Sequence, residues 1–202
     1  MIIGKTPLKS NAAEGTIKKM VISLLEPSGI KCQVADFSLL VDPPKTKKGG
    51  LILRTESPKG DLSPDDNEIN GPGEYELGGI RVRGVGIKGE NGSARVAYSA
   101  LFDGIRLGFV NGLDKPLSQE ELEDMGEIDI LFVDVEQSTL NIKEMTSFIK
   151  KVDPKIIMPT TDKGAKKLLE EFGQTGQAEE KLTIKAKDIT EEGGLNVVWL
   201  KA

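Results

Sequence analysis

The feature that most constrains the fold is a change in the spacing of apolar residues near the middle of this 202-residue chain. In the first half, apolar and polar residues alternate, as where Lys31 and Gln33 separate Ile30, Cys32 and Val34. This alternation is typical of strands with one buried face. In the second half, apolar residues recur at helical spacing, and short apolar runs separate these segments. Strands followed by alternating strands and helices predict an α+β or layered α/β fold with helices covering sheet faces.

Turn residues divide the first half into strands. Asp103-Gly104 and Gly78-Gly79 each separate two strand-like segments, and both dipeptides are typical of two-residue hairpins. The segment 61–72 is rich in Asp, Asn, Pro and Gly and is predicted to be a loop. Hairpin connections predict mainly antiparallel pairing in this half. The predicted strands are residues 30–34, 38–41, 51–53, 74–77, 80–87, 96–102 and 105–110.

Capping residues mark the starts of three predicted helices in the second half. Ser118 and Glu121 form a capping box, Asn141 marks the second start, and Asp162 is predicted to cap the third helix. Glycine or proline follows each helix and ends it. The predicted strands between and after the helices are residues 128–135, 156–158, 182–186 and 195–200.

The composition excludes several kinds of site. The chain has no histidine, so Ser-His-Asp and Cys-His catalysis and zinc sites built on imidazole are excluded. Its one cysteine, Cys32, cannot form an intrachain disulfide, and at an inward strand position it is predicted to be a packed core thiol. The net charge of −5 argues against sequence-independent binding of nucleic acid, which depends on clustered positive charge.

One domain is predicted at residues 20–202, after a largely polar N-terminal arm at residues 1–19. No apolar run is long enough to cross a membrane, and the arm lacks the apolar core of a secretory signal. A single cysteine is typical of reducing compartments, which predicts a cytoplasmic protein. The segment 84–89 matches G-x-G-x-x-G, but turn residues follow where a dinucleotide site needs a helix, so nucleotide binding is not expected.

Residues 71–76, with the sequence Gly-Pro-Gly-Glu-Tyr-Glu, carry a family resemblance. This segment resembles a signature of metallo-β-lactamase-fold proteins similar to L-ascorbate-6-phosphate lactonase. The resemblance covers the chain from Met20 onward and implies an αββα sandwich of the kind that metal-dependent hydrolases use. The other segments that resemble the family, in the same order, are residues 36–43, 103–107, 126–132 and 152–159.

The resemblance also implies a metal site, and the chain departs from it. Family members hold their metal with histidines and aspartate in a loop that begins with a threonine, which Thr55 matches. Other residue types stand at every matching histidine. The positions that the resemblance assigns to the former pocket are Glu56, Pro58, Asp61, Phe109, Gly112, Asp134, Glu136, Thr161 and Asp162.

Two hypotheses follow from this departure. Without imidazoles the site lacks the ligands that zinc prefers, so we assign no catalytic residue, no metal and no cofactor. The chain is then a degenerate family member that serves as a binding or assembly scaffold, for an unknown protein partner or for self-association. The alternative is a hydrolase of phosphoesters or lactones with a rebuilt magnesium or manganese site. Its candidate ligands are Glu56, Asp61, Asp134, Glu136 and Asp162.

Overall fold

The fold consists of two mixed β-sheets and three α-helices in a computed structural model that describes residues 18–27, 29–44, 50–56, 67–88, 94–189 and 194–201. One sheet contains β1 (Met20–Leu25), β2 (Gly29–Val34), β3 (Phe37–Val41), β4 (Gly50–Leu53), β5 (Glu68–Ile69) and β12 (Leu182–Ile184). The other contains β6 (Gly73–Leu77), β7 (Ile80–Lys88), β8 (Ala94–Phe102), β9 (Ile105–Val110), β10 (Ile130–Val133), β11 (Ile156–Pro159) and β13 (Asn196–Val197). The helices are α1 (Gln119–Met125), α2 (Ile142–Val152) and α3 (Asp162–Glu171).

The strand order determines which chain segments meet. The six-stranded sheet has the order β12-β1-β2-β3-β4-β5, and the seven-stranded sheet has the order β13-β11-β10-β9-β8-β7-β6. Strands β6 to β9 pair antiparallel, whereas β9, β10, β11 and β13 pair parallel. Antiparallel pairing predominates among β1 to β9, as predicted, but β3, β4 and β5 pair parallel. Parallel neighbours require a crossover connection, and nothing in the local apolar pattern of these strands encodes one.

Two apolar cores separate the layers. The core between the sheets contains Tyr98, Phe109 and Phe132, all fully buried. The core between the seven-stranded sheet and the helices contains Phe148 and Leu168. The seven-stranded sheet contributes to both cores because successive side chains of a strand point to opposite faces. The layered α/β fold is thus confirmed, and within the described ranges the α-helices cover the seven-stranded sheet alone.

Turns and helix starts follow the local sequence. Asp103 and Gly104 have φ of 49° and 80°, the left-handed values that a type I′ hairpin turn requires. At the start of α1, Ser118 Oγ accepts a hydrogen bond from Glu121 N at 3.2 Å, and Glu121 accepts one from Ser118 N at 2.7 Å. Asn141 forms the same kind of capping box at α2. These predictions are confirmed because each depends on residues that are close neighbours in the chain.

The cap of α3 corrects a prediction. Thr161, and not Asp162, is the N-cap, since its backbone is extended and its Oγ1 accepts from Gly164 N at 3.1 Å. Asp162 is the first residue of the helix, and its carboxylate accepts a hydrogen bond from Trp199 Nε1 at 2.7 Å. A contact with the distant C-terminal segment thus engages the carboxylate that the sequence suggested as a cap.

Predicted strand boundaries differ from the structure in the interior strand 128–135, which shortens to Ile130–Val133, and in three further places. The predicted strand 182–186 ends at Ile184, and 195–200 shortens to the two residues of β13. Strand β5 lies within the segment 61–72 that was predicted to be a loop. All three strands are at sheet edges. Edge strands are commonly short and bury little, so their boundaries leave little trace in the apolar pattern.

The segment that carries the family resemblance forms the exposed edge strand β6 and the turn before it. Gly73 has φ of 143°, a conformation that other residues rarely adopt. The Tyr75 hydroxyl lies 3.2 Å from the carbonyl oxygens of Gly71 and Pro72, within hydrogen-bond distance of both. The segment therefore has a structural role in ending the seven-stranded sheet.

Two further predictions concern Cys32 and the chain as a whole. Cys32 is fully buried between the sheets, and this burial raises the pKa of its thiol, which confirms a packed core residue. No helix in the described part of the chain is long and apolar enough to cross a membrane. Of the predicted N-terminal arm, Lys18 and Lys19 are described, and residues 1–17 lie outside the described residues.

Candidate functional site

Four strands end at one polar pocket between the two sheets. Strands β3 and β4 run parallel in one sheet, and β9 and β10 run parallel in the other, so each pair ends at the same side. The residues that follow these strands line a cavity of about 230 Å³, and one residue near the start of β8 joins them. The lining residues are Asp42, Thr55, Glu56, Arg95, Asn111, Asp134 and Gln137.

Asp42 connects three of the strand ends. It directly follows β3 and has a left-handed φ of 45°. Its carboxylate accepts hydrogen bonds from Thr55 N at 2.9 Å and Thr55 Oγ1 at 2.5 Å, which join it to the end of β4. It also accepts one from Asn111 Nδ2 at 3.2 Å, which joins it to β9 in the other sheet. Both oxygens of this carboxylate are therefore engaged within the protein.

Arg95 supplies the positive charge of the pocket. Its guanidinium pairs with Glu56 at 3.0 Å and donates a hydrogen bond to the carbonyl oxygen of Gly112. The side chain is only 19% exposed. Gly112 has φ of 60°, and a Cβ at this position would collide with the Arg95 guanidinium. A side chain at position 112 would therefore leave no room for Arg95.

Asp134 organises the loop after β10. The residue is 2% exposed, and its Oδ1 accepts hydrogen bonds from the backbone N–H groups of Glu136 and Gln137, both at 2.9 Å. Its backbone carbonyl accepts another from Ser138 Oγ at 2.7 Å. A carboxylate that accepts backbone N–H groups in this way is typical of a turn, which gives Asp134 a structural task.

Two buried polar atoms of the pocket have no hydrogen-bond partner among the described residues. They are Arg95 Nε, a donor, and Asn111 Oδ1, an acceptor. A buried polar group without a partner costs about 1–3 kcal/mol, so such groups are uncommon in native proteins. Both atoms belong to residues that line the same cavity.

Tyr98 connects the two sheets through its hydroxyl. Its hydroxyl lies 3.0 Å from the carbonyl oxygen of Arg54 and 3.3 Å from that of Ile69. Arg54 follows β4 and Ile69 ends β5, and both strands belong to the six-stranded sheet. Burial, followed by the charges of neighbouring acidic groups, raises the pKa of the phenol. The neutral hydroxyl is therefore a fixed donor and not a general base.

The pocket contains some of the residues that the resemblance suggested, but not all. Glu56 and Asp134 line it, and Gly112 touches it through the bond to Arg95. Phe109 does not line it: the side chain is fully buried and stacks on Phe132, with ring centroids 4.9 Å apart. A phenyl ring has no polar atom that could form a hydrogen bond at the cavity, so the side chain packs into the core.

The remaining suggested positions lie elsewhere. Glu136 pairs with Lys163 at 2.7 Å, and this hydrogen bond holds the pKa of Glu136 below its ordinary value. Thr161 and Asp162 cap and begin α3, as described above. Pro58 and Asp61 lie outside the described residues.

Sequence reasoning did not single out Asp42, Arg95, Asn111 or Gln137 as site residues. Asp42 and Asn111 directly follow predicted strands, and strand ends are frequent places for functional side chains, so this signal was available. Arg95 gave no such signal, because it lies at the start of a strand. It reaches the pocket only because β8 is antiparallel to β9 and its segment pairs with Glu56.

The residues present do not fit a zinc ion. The chain has no histidine, and its only cysteine lies in the core between the sheets. Within the described ranges, no three Asp, Glu or Cys side chains lie close enough together to hold a metal ion. The described carboxylates of the pocket bond to N–H and O–H groups of the protein and do not converge as a ligand set. No imidazole is available to serve as a zinc ligand in place of these carboxylates.

Comparisons with known proteins agree with this fold. A family model described as a β-lactamase superfamily domain matches residues 22–161, which is more than half of the chain. Among proteins of curated function, none matches the chain.

Several solved structures share the architecture. A Thermotoga maritima protein, assigned to the Zn-dependent hydrolases of the metallo-β-lactamase superfamily, has 17% identity and a TM-score of 0.71, with 90% of this chain and 100% of that chain covered. Igni18, a metallo hydrolase from Ignicoccus hospitalis, has 11% identity and a TM-score of 0.55, with 83% and 99% covered. YhfI, a metallo-β-lactamase-fold protein from Bacillus subtilis, has 11% identity and a TM-score of 0.54, with 92% and 98% covered. At these identities the likeness shows the fold alone. The match over residues 22–161 goes further: this chain belongs to the β-lactamase superfamily domain family and has the metallo-β-lactamase fold.

Proposed function

We propose that this chain is a family member without hydrolase activity that serves as a binding or assembly scaffold. The observation that carries the proposal is the position of Arg95 among the polar groups at the strand ends. Its guanidinium pairs with Glu56 and donates to the Gly112 carbonyl. The guanidinium of Arg95 is thus a positive group of the protein within the pocket. A metal ion there would need negative or neutral ligands instead.

The lining of this pocket carries one arginine against the three carboxylates of Asp42, Glu56 and Asp134, so net charge does not exclude a cation. The obstacle is that the ligand atoms are already engaged. Asp42 bonds to Thr55 and Asn111, Glu56 pairs with Arg95, and Asp134 bonds to backbone N–H groups. Metal binding would require these bonds to break and the guanidinium to leave.

The hydrolase names of the structural neighbours describe those proteins. One fold supports many functions, so a shared scaffold at 17% and 11% identity does not carry an activity to this chain. Three finer parts of the proposal rest on the sequence. The segment 71–76 favours a lactonase-like branch of the family. The missing histidines favour a protein partner or a second copy of the chain over a metal-bound substrate. The single cysteine, Cys32, favours a cytoplasmic location.

The alternative, a rebuilt hydrolytic site, has less support. It needs several carboxylates around one ion, and within the described ranges no such cluster exists. Of its candidate ligands, Glu56 and Asp134 line the pocket, whereas Glu136 and Asp162 bond to Lys163 and Trp199. Its last candidate, Asp61, is not among the described residues.

Metal analysis tests the proposal directly. The purified chain would be incubated separately with Zn²⁺ and Mn²⁺, dialysed, and measured by inductively coupled plasma mass spectrometry. We expect metal well below one equivalent, and no turnover of bis(p-nitrophenyl) phosphate or of a lactone with either ion. One bound equivalent that supports turnover would overturn the proposal.

A pair of glutamine variants distinguishes the two roles of Glu56. If Glu56 is the partner of Arg95, Glu56→Gln lowers the stability slightly and leaves the metal content unchanged. If Glu56 is a metal ligand, the same change removes bound metal. Glu127→Gln is the matched control, because Glu127 is also exposed and also pairs with an arginine, Arg106, away from the pocket.

Sedimentation addresses the scaffold role. If the chain assembles with itself, the sedimentation coefficient rises with protein concentration. A strictly monomeric profile over the same range would eliminate self-association and leave a different protein as the partner.

A further inference from the structure

We infer that a second cavity, on the outer face of the seven-stranded sheet, binds a phosphate monoester with an apolar body. This cavity has a volume of about 530 Å³, which is within the range of small-molecule sites. It lies over β6 to β9 beside the end of α1, and Arg106 at the start of β9 lines it. Asn111 and the polar pocket follow the other end of the same strand, so the two cavities are separate.

The strand register brings the arginines together. Arg81 of β7 is the direct cross-strand partner of Leu101 in β8, and Leu101 is the partner of Arg106 in β9. Direct partners in a sheet share a face, so the two arginines flank Leu101 in one row. In the next row, Arg83 is opposite Ser99. Arg81 and Arg83 of β7 thus lie on one side of the uncharged residues Ser99 and Leu101, and Arg106 of β9 lies on the other side.

Arg106 is held in position by a buried carboxylate. Its Nε and Nη2 donate to the two oxygens of Asp129 at 3.0 and 2.7 Å, and its backbone N–H donates to Asp129 at 2.8 Å. Asp129 is only 8% exposed. This bidentate pair fixes the plane of the guanidinium, and its Nη1 also donates to Glu127.

Arg81 is the free cation of the cavity. It is exposed, and it has no ion pair or hydrogen bond in the part of the chain that the structure describes. Its cross-strand neighbour Glu76 is within the same row but is not paired with it at ion-pair distance. An anion in the cavity would give Arg81 its first strong partner.

The other glutamates of the cavity are on its flanks. Glu74 pairs with Arg83, and Glu127 pairs with Arg106, and these carboxylates are 72% and 83% exposed. Exposed ion pairs contribute little stability because water and salt screen them. A phosphate dianion that contacts Arg81 can replace Glu74 on Arg83 or Glu127 on Arg106, and phosphate matches the planar geometry of a guanidinium.

The floor and one wall of the cavity define the rest of the ligand. Leu101 and Met125 supply apolar surface, and the Ser99 hydroxyl supplies one neutral hydrogen-bonding group. A purely inorganic anion would leave the apolar part of the cavity unused. These surroundings favour a phosphate attached to a small apolar or aromatic group.

Phenyl phosphate is the probe that tests this inference. Calorimetric titration should give saturable binding with one site per chain, and Arg81→Gln should weaken it at least about tenfold, since a charged hydrogen-bonding group is lost. Lys150→Gln, which removes the same charge from the exposed face of α2, should leave the affinity unchanged. Equal affinities for wild type and Arg81→Gln, or no saturation with wild type, would overturn the inference.

Amide chemical shifts locate the bound probe. We expect the shifts of Arg81, Ser99 and Arg106 to change on titration, and those of Asp42 and Asn111 to stay constant. The reverse pattern would place the anion in the polar pocket and contradict the inference. Ser99→Asp provides a second variant, because a negative charge on the half-buried floor should abolish binding while the amide spectrum of the fold is retained.

Discussion

Two arginines stand at opposite ends of the β8–β9 hairpin, and they are held in different ways. Arg106 makes a bidentate pair with the buried Asp129, and this hydrogen bond raises the pKa of Arg106. Arg95 pairs with the exposed Glu56 and a backbone carbonyl, and its Nε is left without a partner within the described ranges. Arg106 is thus a well-satisfied structural ion pair, whereas Arg95 is an incompletely satisfied charge in a pocket.

The two ends of the hairpin therefore differ in how completely their buried polar groups are hydrogen-bonded. At the Arg106 end the polar groups are matched, and an open cavity with a free Arg81 remains beside them. At the Arg95 end the cavity is smaller, and its carboxylates bond to groups of the protein. Two polar atoms buried there have no hydrogen-bond partner within the described ranges, which is uncommon in native proteins.

The largest expected effect concerns the core beneath the Arg95 end. Phe109→Ala should lower the free energy of unfolding by about 3–5 kcal/mol, because the fully buried ring stacks on Phe132. Urea unfolding measures this loss. Phe37→Ala, at the other end of the core, should cost less because Phe37 is only half-buried against Phe102. A smaller loss at Phe109 than at Phe37 would mean that position 109 belongs to the pocket and not to the core.

The next effect compares the arginines directly. Arg106→Met should lower the free energy of unfolding by about 2–3 kcal/mol, since it leaves the Asp129 carboxylate buried without its cation. Arg95→Met should cost about 1 kcal/mol, because Glu56 is 66% exposed and can be hydrated. Chemical denaturation of both variants under the same buffer checks the order. If the two losses are equal, the contrast drawn between the ends of the hairpin is wrong.

The smallest effect is a titration beside the start of α3, outside the polar pocket. Glu136 has a lowered pKa because of its hydrogen bond to Lys163, so the pair stabilises the fold above the ordinary glutamate value of 4.5 and loses this contribution as the pH falls through the lowered pKa. Lys163→Gln should raise the pKa of Glu136 toward 4.5, as measured by carboxyl carbon NMR. Lys150→Gln serves as the control of equal charge. An unchanged Glu136 pKa in Lys163→Gln would show that the ion pair does not form in solution.

Local signals in the sequence were sufficient for much of the fold. The Asp103-Gly104 turn and the Ser118 and Asn141 capping boxes depend on residues within four positions of one another, so they can be read without tertiary contacts. The absence of histidine is likewise a property of the chain, and it removes the imidazole ligands of zinc in any fold. The sequence by itself determined the layered fold, most of its elements and the loss of these ligands.

Only the tertiary structure decided how distant residues combine. The parallel pairing of β3 with β4 places Asp42 against Thr55. The packing of the two sheets places the Asp42 carboxylate against Asn111. Arg95 reaches Glu56 across the sheets, and the row of Arg81, Leu101 and Arg106 exists only in the register of three strands. The apolar pattern specifies which face of a strand is buried but not which strand lies beside it. That choice depends on long-range packing, and it placed Arg95 among the polar residues at the strand ends.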